Sequence, residues 1–387
     1  MNRNERTATD EYVMQVKQSL NKVKDPRVQG RVTHSLLNVV VISLLAVLSG
    51  AEDWEDLEMY GEERREWLRE FLDLPNEESI PGHDTFRRVL SALDQKAFAT
   101  ALFELTRALH QAVGGSSIAI DGKMLRGTCD ARGQGGLHLV SAWATDLQAT
   151  LGLVACGAKS NEITAIPELL TLLDLRKSTV TIDAMGCQTA IAEQIRAGGG
   201  QYVLAVKGNQ HYLKKQMEAL YEEAAAHRFD GVVHARLDQQ EQAHGREEER
   251  ICIAMQIPMD HPQCAKWRDL RTLVVVANCR YEDKGTERWQ TRLYISSLAP
   301  DAVLLARAIR AHWSIENQQH WSLDVTFHED GQRARDKNAL ANLAAIKRLA
   351  LSLLRQEKTN TRSLRKKRFT CALDNGYVLK VLKSAQV

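Results

Sequence analysis

The chain has 387 residues, 44% of them apolar and 26% charged, which is the balance of an ordinary globular protein large enough for two or three domains. A formal net charge of +2 excludes a uniformly basic surface, but the charge is polarised: residues 51 to 78 hold twelve acidic and three basic side chains, and residues 346 to 387 hold eleven basic and two acidic ones. Seven scattered cysteines with no CxxC pair exclude a disulfide framework and predict reduced thiols in the cytoplasm.

Residues 1 to 112 carry helical periodicity with acidic outward faces and are expected to form an all-helical domain. "MNRNERTATDEYV" at the amino terminus has no apolar signal core. "LLNVVVISLLAVLSG" (36 to 50) is broken by Asn38 and Ser43 and is short for a bilayer, so it is predicted as a buried helix, with Thr33 as N-cap and Gly50 as its stop. No membrane partner follows from it. "LPNEESIPGHD" (74 to 84) punctuates the chain before another helix from near Asp84, and "VGGSS" (113 to 117) reads as a linker.

After the linker the period becomes strand-like. Three strands ("IAIDGK", "LHLVSAWAT", "TLGLVACGAK") can pair as a meander; then helix ("ITAIPELLTLLD"), strand ("TVTIDA"), helix ("QTAIAEQIRAGG"), strand ("YVLAVKGN") and helix alternate. This order predicts a mixed α/β fold, a ribonuclease-H-like sheet flanked by helices over 113–228. A β-rich insertion is expected at 229–300, the core resumes with a long helix in 301–352, and 353–387 is expected to be a basic, exposed helical tail.

Three carboxylates carry the chemistry. Asp121 follows the strand Ile118 to Ile120 and precedes Gly122; by itself this reads as a hairpin turn more readily than as a catalytic residue. Asp183 closes "TVTID" and by itself reads as a helix cap. Both fall at the ends of strands that would be neighbours. Glu316 lies on a stripe Leu305, Ile309, Trp313, Glu316, His320, Leu323, Phe327, spaced by three and four, where every other member except His320 is apolar or aromatic. A buried carboxylate there needs a positive partner, either Arg310 or Arg335 or a cation shared with the two aspartates. Carboxylates suit hard Mg²⁺, and two such ions about 4 Å apart can activate a hydroxyl and stabilise a leaving 3′ oxygen. No P-loop, GxSxG elbow or HExxH is present, which excludes the usual signatures of nucleotide hydrolysis, acyl transfer and zinc proteolysis.

At these residues the chain resembles insertion-sequence transposases of the H-repeat-associated type, members of the DDE transposase superfamily. The likeness runs through "DPRVQGR" (25 to 31), "GAEDWEDLEMYGEERREWLREFLDLP" (50 to 75), "PGHDTFRRVLSALD" (81 to 94), "AIDGKMLRG" (119 to 127), "KSNEITAIPELL" (159 to 170), "TIDAMGCQ" (181 to 188), "YVLAVKGNQ" (202 to 210), "HGREEER" (244 to 250), "LYISSL" (293 to 298) and "AHWSIENQQHWSLDVTFHEDGQRAR" (311 to 335). The resemblance implies a triad of Asp121, Asp183 and Glu316 holding two Mg²⁺ ions, which Mn²⁺ can replace. It implies cleavage of double-stranded DNA at the element's inverted ends, strand transfer into a target and a homodimer that joins two ends. A metal-dependent nuclease and a catalytically silent DNA-binding remnant are the alternatives. The superfamily's Tyr and Arg before the Glu and its Lys after it are Ile309, His312 and Leu323 here, a departure that changes any DNA contact from this helix.

Several cations and amides are placed to touch DNA. Lys123 and Arg126 follow Asp121 and can steady a scissile phosphate. Lys159, Asn161, Lys207 and Asn209 sit at strand ends, Arg246 lies in the insertion, and His312 can meet a phosphate when protonated. In "RSLRKKRF" (362 to 369), Arg365, Lys366, Lys367 and Arg368 belong to a run of seven basic residues against one acid between 355 and 368, suited to non-specific, salt-sensitive DNA affinity. Trp313 and Trp321 pack in a core or stack on a base.

Overall fold

A computed structural model describes residues 3–384, except 29, 76–78, 115, 131, 133–134, 157–161, 244–245, 282–286, 333 and 335. In chain order the helices α1 (Arg3–Leu20), α2 (Leu36–Leu48), α3 (Trp54–Glu63), α4 (Arg65–Leu68), α5 (His83–Ala92), α6 (Gln95–Leu102) and α7 (Glu104–Ala112) come first. Then follow β1 (Ser117–Leu125), β2 (Leu137–Ala144), β3 (Ala149–Ala155), α8 (Glu162–Leu170), β4 (Thr179–Ile182), α9 (Thr189–Ala197), β5 (Gln201–Val206) and α10 (His211–Ala226). The predicted β-rich stretch is β6 (His234–Ala243), β7 (Arg246–Gln256), β8 (Thr272–Tyr281) and β9 (Glu287–Ser296). Last come α11 (Ala302–His312), a π-helix (Ile315–His320), α12 (Trp321–Phe327), α13 (Lys337–Gln356), α14 (Leu364–Leu373) and α15 (Asn375–Lys383). The fold is mixed α/β, and its strand and helix order is that of the expected ribonuclease-H-like core.

Two compact units cut across the expected segments. The first holds residues 1–114, 122–161 and 315–387; the second holds 115–121 and 162–314. The chain passes between them inside β1, after Asp121.

In the first unit, α2 is apolar on every side and therefore must be covered on every side. Residues 38 to 48 are all buried, and α3, α5, α13 and α14 are among its neighbours. Its N-cap is Ser35, whose hydroxyl accepts from the Asn38 N–H, and not the expected Thr33. Gly50 does end it, at φ +117, a conformation that favours glycine. Asn38 breaks the apolar run because its amide donates to the Asp73 carbonyl at 2.6 Å. The antiparallel pair β2/β3 and the long helix α13 complete the core.

The carboxy-terminal segment is not an exposed tail. Tyr377, Val378, Leu379, Val381 and Leu382 of α15 are buried, and two cations of "RSLRKKRF" turn inward. Lys367 donates to the Leu354 carbonyl at 3.0 Å and also to that of Glu357. Arg368 donates to the Val47 carbonyl at 3.0 and 3.2 Å, to Ala51 at 3.3 Å and to Thr326, with its guanidinium 4.4 Å from the Phe327 ring centre. It satisfies the last carbonyls of α2. Lys367 and Arg368 are thus structural, and neither is available to a phosphate. Arg365 and Lys366 are exposed.

The second unit has strand order β1-β4-β5-β9-β8-β7-β6. β1, β4 and β5 are parallel, β5 pairs antiparallel with β9, and β9 to β6 form an antiparallel meander. The insertion therefore extends the core sheet through β5. Strand β4 is buried at Val180, Thr181 and Ile182, the continuous burial of a parallel strand covered on both faces. Helix α11 covers one face, packing Leu305, Ala308 and Ile309 against Val203, Cys252, Val274 and Tyr294.

Glu357 is the polar centre of the carboxy-terminal segment, with its side chain 1% exposed. Burial alone would raise its pKa, but hydrogen bonds from the Thr359 and Tyr377 hydroxyls and from the Thr359 and Asn360 N–H groups outweigh it, lowering the value from 4.5 to about 2. A depressed carboxyl contributes stability above its unfolded value and loses it as pH falls through the folded one. Glu357→Gln is expected to cost roughly 3 kcal/mol at pH 7. Denaturant midpoints of the two proteins should converge between pH 4.5 and about 2. A gap that persists at low pH contradicts this.

Candidate active site

The parallel register of β1 and β4 matches Ser117 with Thr179 and ends on Ile120 opposite Ile182. The next residue in each case is an aspartate, Asp121 within β1 and Asp183 just past the end of β4. Asp121 and Asp183 therefore stand level on neighbouring strands, about 5 Å apart in the sheet, and alternation points both to the same face. Asp121 is inside β1, which runs on to Leu125, so Asp-Gly here is not a hairpin turn.

Asp183 also does what its cap reading predicted: it accepts from the Met185 N–H at 2.9 Å, opening the short 3₁₀ turn Ala184–Gly186. That turn is tight enough to require glycine, since a Cβ on Gly186 would lie 2.3 Å from the Ile182 side chain. Asn209, expected at DNA, instead donates its amide to the Ala184 carbonyl at 2.5 Å and fastens this turn. Lys207, at the end of β5, is exposed.

His312 ends α11 and is half-buried; its Nδ1 lies 3.0 Å from the Thr181 hydroxyl. Burial lowers its pKa, against the pull of the Asp183 carboxylate and the Thr181 hydrogen bond. Without a phosphate beside it the neutral ring is favoured, so the expected charged contact would require His312 to gain a proton on binding. Cys187 is buried beside Asp183, its pKa raised to about 12 by burial and then by that carboxylate. It stays a thiol and leaves an oxygen-only donor pair.

Glu316 belongs to the first unit and is exposed. The expected buried stripe does not exist as one surface. Leu305 and Ile309 are buried, but Trp313 is 38% and Trp321 59% exposed, and the inward face continues as Ile315, Gln319, Leu323 and Phe327. The π-helix shifts the phase, so Glu316 pays no burial cost. It makes no hydrogen bond or ion pair among the described residues, so the proposed salt bridge to Arg310 is not formed, and Arg335 lies outside those residues. Trp313 lies under the Arg292 guanidinium, 5.0 Å from its ring centre.

Lys123 is buried and committed. Its ammonium lies 2.7 Å from Asp324 and 2.9 Å from Asp330, all three in the first unit, and so it is not open to DNA. Burial raises the Asp324 pKa despite the Lys123 hydrogen bond. The Arg126 side chain is 84% exposed, 3.8 Å from Asp330. Lys159 and Asn161 lie outside the described residues, as does the side chain of Arg246. Asp324 and Asp330 were missed from sequence because a surface-type Asp gives no sign of a distant lysine.

Among the described residues no three acidic, histidine or cysteine side chains are grouped as metal ligands, and no helix is long and apolar enough to cross a membrane. The fitting feature is the aspartate pair: two part-exposed carboxylates, held level, whose mutual repulsion a hard divalent cation would relieve.

Comparison with known proteins agrees with this layout. Residues 114–353 match the Transposase DDE domain family, and residues 17–106 match the DDE_Tnp_1-associated family. The chain belongs to the transposase DDE domain family, whose members act on DNA and generally use divalent metal ions. It is 41% identical over 369 residues to "Putative transposase YncI" of Escherichia coli O157:H7, covering 94% of this chain and 93% of that protein. It is 38% identical over 365 residues to "H repeat-associated putative transposase YhhI" of Escherichia coli strain K12, covering 93% and 95%. A shorter match, 42% over 67 residues, covers 17% of this chain and 77% of "Inactive transposase YbfQ" from the same strain.

Removing the Lys123 ammonium leaves two partly buried carboxylates facing each other. Lys123→Met is expected to cost about 2 kcal/mol, read as a lower urea midpoint. An unchanged midpoint would show the ion pair to be energetically idle.

Proposed function

We propose that the chain is an active DDE transposase that cuts DNA at the ends of its own element and joins the freed 3′ end to a target. The observation that carries this reading is the parallel register of β1 and β4, which ends on Ile120 opposite Ile182 with Asp121 and Asp183 next in the chain. Asp121 and Asp183, with Glu316 as third carboxylate, would hold Mg²⁺, for which Mn²⁺ can substitute; the all-oxygen donor set fits both. When bound, a pair of such ions supplies activation of the attacking hydroxyl and stabilisation of the leaving 3′ oxygen.

The chain's own residues do the rest. Asp183 holds its orientation through the Met185 N–H, and Asn209 keeps that turn closed. Exposed Lys207, just past the end of β5, would offer a cation to a phosphate, and exposed Arg126 is a second candidate for such a contact. Two ends must be joined, so the working form is proposed as a homodimer, acting in the cytoplasm on the nucleoid.

The test uses purified protein, pre-cut duplexes taken from the DNA flanking the gene, and a supercoiled plasmid with Mg²⁺ or Mn²⁺. Joined products are expected, and Asp121→Asn, Asp183→Asn and Glu316→Gln should each lower joining at least a hundredfold without loss of folding. Cuts without joined products would establish the nuclease reading, and no metal-dependent product at all would establish a silent DNA-binding relative.

A further inference from the structure

Glu316 projects from a π-helix, a rare turn found mostly as a single-turn bulge within α-helices and frequently at functional sites, and side chains around it hold it in place. In the first unit those surroundings are specific. Gln319, fully buried, donates to the Thr150 hydroxyl at 2.7 Å, and the Thr150 N–H donates to the Ser352 hydroxyl of α13 at 3.0 Å. Arg355, one turn further along α13, donates to the Gln318 carbonyl at 2.7 Å, to the Ser322 hydroxyl at 3.1 Å and, with its other amino group, to the Gln148 side chain at 2.8 Å. Its guanidinium also lies 5.9 Å from the Trp143 ring centre.

Arg355 has no carboxylate partner among the described residues. Burial lowers its pKa, the mark of a cation held where water is scarce. A half-buried guanidinium that directs one amino group at a neutral carbonyl and a hydroxyl, and the other at Gln148, makes charge-assisted bonds to two residues of one helical turn, Gln318 and Ser322, which lie just past Glu316.

We infer that Arg355 is a positioning residue for Glu316: it clamps the π-turn from behind and fixes the direction in which the carboxylate leaves the helix. This rests on the reading of Glu316 as a metal ligand. Outer groups that orient a ligand typically change metal affinity by ten- to a hundredfold when removed.

The test measures Mn²⁺ binding by electron paramagnetic resonance, and amide hydrogen exchange over residues 315–322, in the full chain carrying Arg355→Met, Arg355→Lys, Ser322→Ala or Glu316→Gln. Arg355→Met should weaken Mn²⁺ binding roughly tenfold and speed exchange in that segment. Arg355→Lys should recover only part, because it keeps the charge and loses the fork. Ser322→Ala, which removes one bond and is well tolerated in a helix, should move both readouts in the same direction by less, and decides the matter should Arg355→Met fail to fold. Wild-type Mn²⁺ affinity in Arg355→Met and Ser322→Ala, alongside weakened binding in Glu316→Gln, overturns the positioning role alone. Unchanged binding in Glu316→Gln overturns the ligand reading and the inference with it.

Discussion

Two neighbouring parallel strands held in one register, β1 running on past Asp121 and β4 stopping just before Asp183, are the constraint from which the candidate site follows. Four matched residue pairs, Ser117 with Thr179 through Ile120 with Ile182, bring the next residues, Asp121 and Asp183, to about one strand spacing from each other. Like charges so placed repel, and the ladder beneath them supplies the restraint. The chain tightens that restraint at the end of β4: Asp183 caps a 3₁₀ turn, Gly186 lets the turn fold onto Ile182, and Asn209 ties it to the segment after β5. Under the proposed function this carboxylate pair would receive a cation, and exposed Lys207, past the end of β5, would meet a phosphate.

The first unit uses its basic residues in a different way. Lys123 bridges two aspartates, Arg348 pairs with Glu329 at essentially zero exposure, and Arg355, Lys367 and Arg368 end on backbone carbonyls. Each sits where helices or loops from distant parts of the chain meet. Their donors satisfy carbonyls that would otherwise be stranded in an apolar core, at the ends of α2 and α13 and along the π-turn. Removing such a group leaves buried polar atoms without partners, which is costlier than losing a surface ion pair.

Much of the fold was legible because it is written in period and punctuation. The apolar run of α2 and its Gly50 stop, the strands that carry or lead into Asp121 and Asp183, the helices alternating with them and the β-rich insertion are all local patterns, and family resemblance named the three carboxylates. What stayed hidden depends on contacts between residues far apart in the chain. A stripe spaced by three and four assumes an unbroken α-helix, so the π-turn at Ile315–His320 turned a supposedly buried Glu316 outward. The run Arg365, Lys366, Lys367, Arg368 looks uniformly solvated in one dimension, although the first two face water while Lys367 turns to the end of α13 and Arg368 to the end of α2. Composition also gives no hint that the amino-terminal helices need α13 and the β2/β3 pair to complete their core.

The most direct measurement is the anomalous scattering of crystals of the protein soaked in Mn²⁺. The account predicts a strong peak within coordination distance, about 2.2 Å, of carboxylate oxygens from both Asp121 and Asp183. Peaks confined to other carboxylates, or none at all with the two aspartates well ordered, would contradict it.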